Sequence, residues 1–187
     1  MTEKKYGGIE KCCFTGYRPA KFPFSLSIED EDYKKFENSL IEELLSLISS
    51  GCHTFYSGMA MGFDIISAEV VLMLKAAYKR DDIKLVCVLP FTNQADTYTN
   101  YWKRRFIAVL EKCDQKIILS DNYFSGCYQK RNIYMVENSD CVLTWFDGKS
   151  GGTKNTLDYA ISKQRYVINT CNNTSESFGI QTFFDII

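Results

Sequence analysis

One histidine in 187 residues, and not a single Cys-x-x-Cys pair among eight cysteines, remove the commonest catalytic and metal-binding chemistries from this chain. His53 opens an apolar, strand-like run, so no convincing Ser-His-Asp triad forms around it, and Cys127 has no evident histidine base. The cysteines at 12, 13, 52, 87, 113, 127, 141 and 171 lie mostly in apolar runs, where Cys acts as a small hydrophobe. A reducing cytoplasm and no zinc site are therefore expected. Strong charge is also lacking: a formal net charge of -1 and pI ≈ 5.9 set up no global field for nucleic acid, leaving at most a local basic patch. No apolar run approaches the ~18 residues that cross a bilayer, and no basic-then-apolar leader is present, so a soluble chain with no membrane partner is expected. Repeats, low-complexity tracts and long linkers are missing too.

What is abundant is apolar residue, 45% of the chain with 14% aromatic, enough for one substantial core. Strand-length apolar runs recur at 11–15, 53–57, 84–89, 116–120, 140–146 and 166–170, with helix-period segments between them. In the first helix Tyr33, Phe36, Leu40, Leu44 and Leu47 share a face and Gly51 supplies the C-cap. The second places Ile66, Val70, Met73 and Ala77 on one face, and the fifth Leu157, Ala160 and Ile161. The strands are continuously apolar rather than alternating, as when both faces of a sheet are covered. The expectation is a single domain over 1–187: α/β, a doubly wound, mostly parallel, Rossmann-like sheet of about six strands. A polar loop from about 172 leads to a short C-terminal element over 178–187, docked by Phe183, Phe184 and Ile187.

In such sheets ligands bind beyond the carboxyl ends of the strands, where strand order reverses. The most informative stretch is Asp140 to Thr153, an apolar strand running into the turn Gly151-Gly152-Thr153 that opens a helix and presents free amides to an anion. Four further segments fall at equivalent positions. Thr15-Gly16 leads to Arg18, a grip for an oxyanion. Ser57-Gly58-Met59 to Gly62 offers backbone amides, and Asp64 an acceptor for ribose hydroxyls, although capping alone also favours an acid there. Pro90-Phe91 to Gln94 supplies a ring to stack on a base and an amide to hydrogen-bond it. Arg131-Asn132 opens an otherwise apolar helix, with Arg131 set for bidentate contact to phosphate or carboxylate. Neither G-x-x-x-x-G-K-[ST] nor G-x-G-x-x-G is present, which excludes a P-loop nucleotidase and an ordinary NAD dehydrogenase.

Together Thr15-Gly16-x-Arg18-Pro19, Ser57-Gly58-x-Ala60-x-Gly62-x-Asp64, Gln129-Lys130-Arg131-Asn132 and Ser150-Gly151-Gly152-Thr153 resemble the YpsA-like branch of the SLOG superfamily. These Rossmann-like proteins include the DprA and LOG groups, and the similarity runs over about residues 10 to 170. The resemblance implies a pocket for a nucleotide or nucleotide-derived ligand, no other cofactor, and a homo-oligomer. The segments around Asp64 and Arg131 are similar to the DprA group, which binds single-stranded DNA. The 151–153 turn with Arg131 looks like the LOG-type phosphoribohydrolases, which use an arginine and a glutamate; at the glutamate's position this chain has Thr156. The leading expectation is a non-enzymatic or weakly catalytic nucleotide-ligand sensor, in which Arg131→Ala weakens binding without unfolding. A nucleotide N-glycosidase using Asp64 or Glu69 as its carboxylate is the second reading. Single-strand nucleic-acid binding through Arg18, Lys130 and Arg131 is the third.

Overall fold

The computed structural model describes residues 5–172; the proposed C-terminal element lies outside them. Six strands form one sheet: β1 (Lys11–Gly16), β2 (Thr54–Ser57), β3 (Lys84–Leu89), β4 (Gln115–Ile118), β5 (Cys141–Trp145) and β6 (Tyr166–Asn169). Their order is β4-β3-β2-β1-β5-β6 and every pairing is parallel. Five α-helices cover it: α1 (Glu31–Ser50), α2 (Phe63–Ala77), α3 (Asn100–Lys112), α4 (Cys127–Glu137) and α5 (Gly152–Ser162). Short 3-10 turns occupy Pro19–Lys21, Gln94–Thr97 and Thr170–Asn172.

The pleat divides the core. Cys12, Phe14, Phe55, Leu85, Cys87 and Leu143 face α1, α2 and α3, whereas Cys13, Val86, Val88 and Val142 face α4 and α5. Covering both faces explains the unbroken apolar strands, and six of the eight cysteines are buried, four of them in strands. The chain runs outward from β1 to β4 on one side, then crosses back to place β5 and β6 on the other. Strand order therefore reverses between β1 and β5, and a crevice opens there.

Helix α1 forms as its periodicity predicts: Tyr33, Phe36, Leu40, Leu44 and Leu47 are buried. Asp30 accepts from the amides of Asp32 and Tyr33 at its start, and Gly51, at φ 116, ends it in the left-handed region. Three expected core positions differ. Met73 is 48% and Ile161 42% exposed, and Ala77 is exposed. In α2 the buried face instead turns through Ile65, Ile66, Ala68, Val70, Val71 and Leu74, because the helix lies between the sheet and its neighbours α1 and α3 rather than on the sheet alone. Strand β4 is an edge: it pairs only with β3, and Ile118 is 49% exposed.

Candidate functional site

Above the carboxyl ends of β1 and β5 lies a cleft of ≈ 390 Å³. Of the residues singled out in the sequence it is lined by Thr15, Gly16, Arg18, Asp64, Arg131, Asn132, Gly152 and Thr153. Four chain segments thus meet at the reversal point. Tyr17, Ala20, Lys21, Ala60 and Tyr128 line it as well.

The walls are stitched together by backbone. Phe63 N–H donates to the Tyr17 carbonyl at 3.1 Å, tying the start of α2 to the end of β1. A Cβ on Gly62, whose φ is +93, would collide with that same carbonyl, so the junction requires glycine. The Thr153 hydroxyl donates to the Gly16 carbonyl at 3.1 Å, closing α5 onto β1. Lys21, turned back by the 3-10 turn after Pro19, donates to the Ser150 carbonyl at 3.1 Å.

Arg131 enters from α4 and is only 4% exposed. Its Nη1 donates to the Gly58 carbonyl and its Nε to Asn132 Oδ1 at 2.8 Å. A Cβ on Gly58 would occupy the place of the guanidinium, which explains that glycine. Nη2 donates no hydrogen bond among the described residues, although Arg131 borders the cleft. Asp64 stands opposite, 4% exposed, with Oδ2 3.9 Å from Arg131 Nη1. Burial pushes its carboxyl up to about 6, against the pull of Arg131. Burial likewise lowers the Arg131 pKa, with Asp64 acting against the shift. Arg131 is thus a buried structural strut that also lines the cleft, and its bonds to Gly58 and Asn132 argue that its removal costs folding stability, against the expectation of weakened binding alone.

Helix α5 begins at Gly152 with Gly151 (φ 140) as N-cap, no side-chain cap and no acidic residue in its first turn. Its leading amides have no intrahelical acceptor and face a cleft containing Arg18, which is exposed, and Lys21. Helix α4 likewise starts on a glycine, Gly126 at φ 88, with neither a side-chain cap nor an acid.

Several expected contacts serve the frame instead. The Ser57 hydroxyl donates to the Asp64 carbonyl at 2.9 Å and accepts from Met59 N–H at 3.1 Å. Met59 itself is fully buried with φ 56. Gln94, 1% exposed, donates to the Gly58 and Met59 carbonyls at 3.0 and 2.9 Å and so pins that loop rather than reaching the cleft. Pro90 is buried at the end of β3, and Phe91 packs against Tyr123 and Tyr128 around a neighbouring hollow of ≈ 410 Å³. Gly151 lies beside Lys21 just outside the cleft.

Glu69 is a plain correction. It is paired with Arg105 of α3, Oε1 accepting from Nε at 2.8 Å and Oε2 from Nη2, and it does not line the cleft. Five residues beyond Asp64 on a helix of about 100° per residue, it points to another side. Lys130 also lies outside the cleft, its Nζ 5.6 Å from the Phe124 ring centroid. Thr156, where LOG-type enzymes carry glutamate, accepts from Asn132 Nδ2 at 2.8 Å and donates to the Gly152 carbonyl at 2.9 Å. Sequence reasoning missed Lys21 and Tyr128; the signal was the turn-forming Pro19 for one and helix-start spacing beside Arg131 for the other.

Among the described residues no group of three or more His, Cys, Asp and Glu side chains is arranged to hold a metal, and no helix is long and apolar enough to cross a membrane.

Residues 12–174 match a family model described as the YspA SLOG family (YpsA). The chain is 28% identical over 134 residues to the SPbeta prophage-derived protein YoqJ of Bacillus subtilis, covering 65% of this chain and 76% of that protein. It is 22% identical over 175 residues to the UPF0398 protein YpsA of the same organism, covering 91% and 88%. Among solved structures it is similar to DNA processing protein A of Helicobacter pylori, described for its single-stranded DNA binding mode, with TM-score 0.58, 17% identity and coverage of 86% of this chain and 64% of that one. DprA of Streptococcus pneumoniae superposes with TM-score 0.56 at 17% identity, this chain spanning half of its length. At such identity the two structures establish a shared fold.

Proposed function

The chain belongs to the YspA SLOG family (YpsA), and from that premise we propose that it binds a phosphate-bearing nucleotide or nucleotide-derived ligand in the cleft between β1 and β5, as a sensor rather than a catalyst. One observation carries the reading: Arg18, the uncommitted Nη2 of Arg131 and the uncapped start of α5 border the same cleft, with Asp64 as the only carboxylate in its lining among the described residues. Positive charge and free amides recognise a phosphate, while Asp64 is available to a hydroxyl nearby. Turnover by the LOG route is disfavoured because Thr156 offers a hydroxyl, bonded to Asn132 and Gly152, in place of the carboxylate that would exchange a proton. Titration calorimetry with nucleoside mono- and diphosphates, ADP-ribose and NAD tests the proposal on wild type and Arg18→Ala. The Arg18 side chain is exposed and makes no hydrogen bond among the described residues, only a contact with the Tyr128 ring, so its loss should weaken binding by about tenfold and leave the fold unchanged. No heat with any of these ligands rejects it.

A second reading, single-stranded nucleic acid, has its own observation. Phe91, Tyr123 and Tyr128 form an aromatic group on the same rim, with ring centroids 5.6, 5.9 and 6.4 Å apart, and Tyr123 is 64% exposed. Rings so placed can stack on bases. The H. pylori relative in fold is described for binding single-stranded DNA. Asp96 and Asp121 line the adjoining hollow, however, and repel a phosphate backbone there, so this reading ranks second. Oligonucleotide affinity that falls steeply with salt would promote it.

A further inference from the structure

We propose that the hollow between α4 and α5 is the subsite for the purine or pyrimidine ring of the ligand whose phosphate lies in the β1/β5 cleft; the inference rests on that reading of the cleft. The hollow measures ≈ 280 Å³. It adjoins the cleft, since Tyr128, Asn132 and Gly152 line both. Gly152 forms the sill between them: a Cβ there would meet nothing within 4 Å, so a ligand can pass close over the backbone from one hollow to the other.

The lining suits a flat heterocycle. Tyr128, Ile133 and Tyr159 supply its apolar area, and burying a planar ring against such a surface is the main source of affinity in pockets of this kind. The rings are anchored. Tyr159 donates its hydroxyl to Glu137 at 2.7 Å, and the Tyr128 ring lies 5.5 Å from the Arg18 guanidinium and 5.9 Å from the Phe91 ring. Among the described residues no charged side chain lines the hollow, in contrast to the cleft with Arg18, Lys21 and Arg131.

Two polar groups remain for recognition. Asn132 and Thr156 are bonded to one another. Gln129 and Asn155 also line the hollow, and neither side chain makes a hydrogen bond among the described residues. A carboxamide carries a donor and an acceptor side by side, the complement of the donor and acceptor pair on the edge of a base. Phosphate in the cleft beside Arg18, Arg131 and Thr153, sugar over Gly152 and ring between α4 and α5 then follow the order of groups in a nucleoside 5′-phosphate.

The test compares ribose 5-phosphate with the nucleoside 5′-monophosphates by titration calorimetry on the full chain. Asn155→Trp fills the hollow from an exposed position, and Asn155→Ala removes only the amide. Wild type is expected to bind at least one nucleotide about tenfold more tightly than ribose 5-phosphate. Asn155→Trp should bring that ratio close to one, and Asn155→Ala should narrow the spread between different bases. A wild-type ratio near one, or a ratio that survives Asn155→Trp, overturns the ring subsite while ribose 5-phosphate binding keeps the phosphate cleft standing. If the wild type binds neither compound, both the subsite and the cleft reading fall.

Discussion

Asp64 and Arg131 show how one residue pair can hold the fold and poise the site together. The carboxyl of Asp64 is raised from 3.8 to about 6 because burial disfavours its charged form more than Arg131, 3.9 Å away, favours it. A folded-state pKa above the unfolded value means the folded chain holds its proton more tightly. The contribution is therefore fully present below about pH 4 and is lost as pH rises through about 6. Urea unfolding from pH 4 to 7 should show wild type losing up to about 3 kcal/mol relative to Asp64→Asn, an upper bound for a fully buried group. Equal slopes for the two proteins would deny the shift. At Gly58 the expected effect is on folding: an added methyl falls on the Arg131 guanidinium, so Gly58→Ala should displace a buried charge and cost about 3–5 kcal/mol by thermal or urea denaturation. Gly58 was legible as a glycine at a loop, but its reason was not, because Arg131 is 73 residues away.

At the scale of elements, α1 and α5 contrast. Helix α1 is capped at both ends, with the Asp30 carboxylate accepting two amides. Asp30→Ala should therefore destabilise the protein by about 1 kcal/mol in urea titration, with no change in ligand affinity. Helix α5 has no side-chain cap, and its start borders the cleft. Proline is tolerated at the first helical position and removes one of those amides. Gly152→Pro should thus lower affinity for a phosphate-bearing ligand by about tenfold while leaving the denaturation midpoint nearly unchanged. A large loss of stability with unaltered affinity would show the amide to be structural. The period of α1 could be read directly, since it buries one face against one surface, and the strands could be read from unbroken apolar runs, since both faces of the sheet are covered. Met73 and Ile161 could not, because where a helix face stops being covered depends on the neighbour beside it.

For the molecule as a whole, the crevice follows from strand order, and ligand occupancy should be visible in global stability. A ligand bound only by the folded state adds about 2.7 kcal/mol at a concentration 100 times its dissociation constant. A thermal shift with a nucleotide that grows with concentration and falls to about half in Arg18→Ala at the same ligand concentration is the expected outcome. If single-stranded DNA gives the larger shift, and that shift collapses between low and moderate salt, the second reading takes precedence.

The sequence alone determined the α/β class, the parallel sheet, most strand positions and the segments that border the cleft, because hydrophobic period and glycine placement are local properties of the chain. Tertiary structure alone decided which of those residues reach the cleft. Glu69 was turned toward Arg105, Gln94 was drawn under the Gly58–Met59 loop, and Lys21 and Tyr128 were brought in. Whether a side chain reaches a ligand depends on the partner that packing offers it, and such partners stand tens of residues away along the chain.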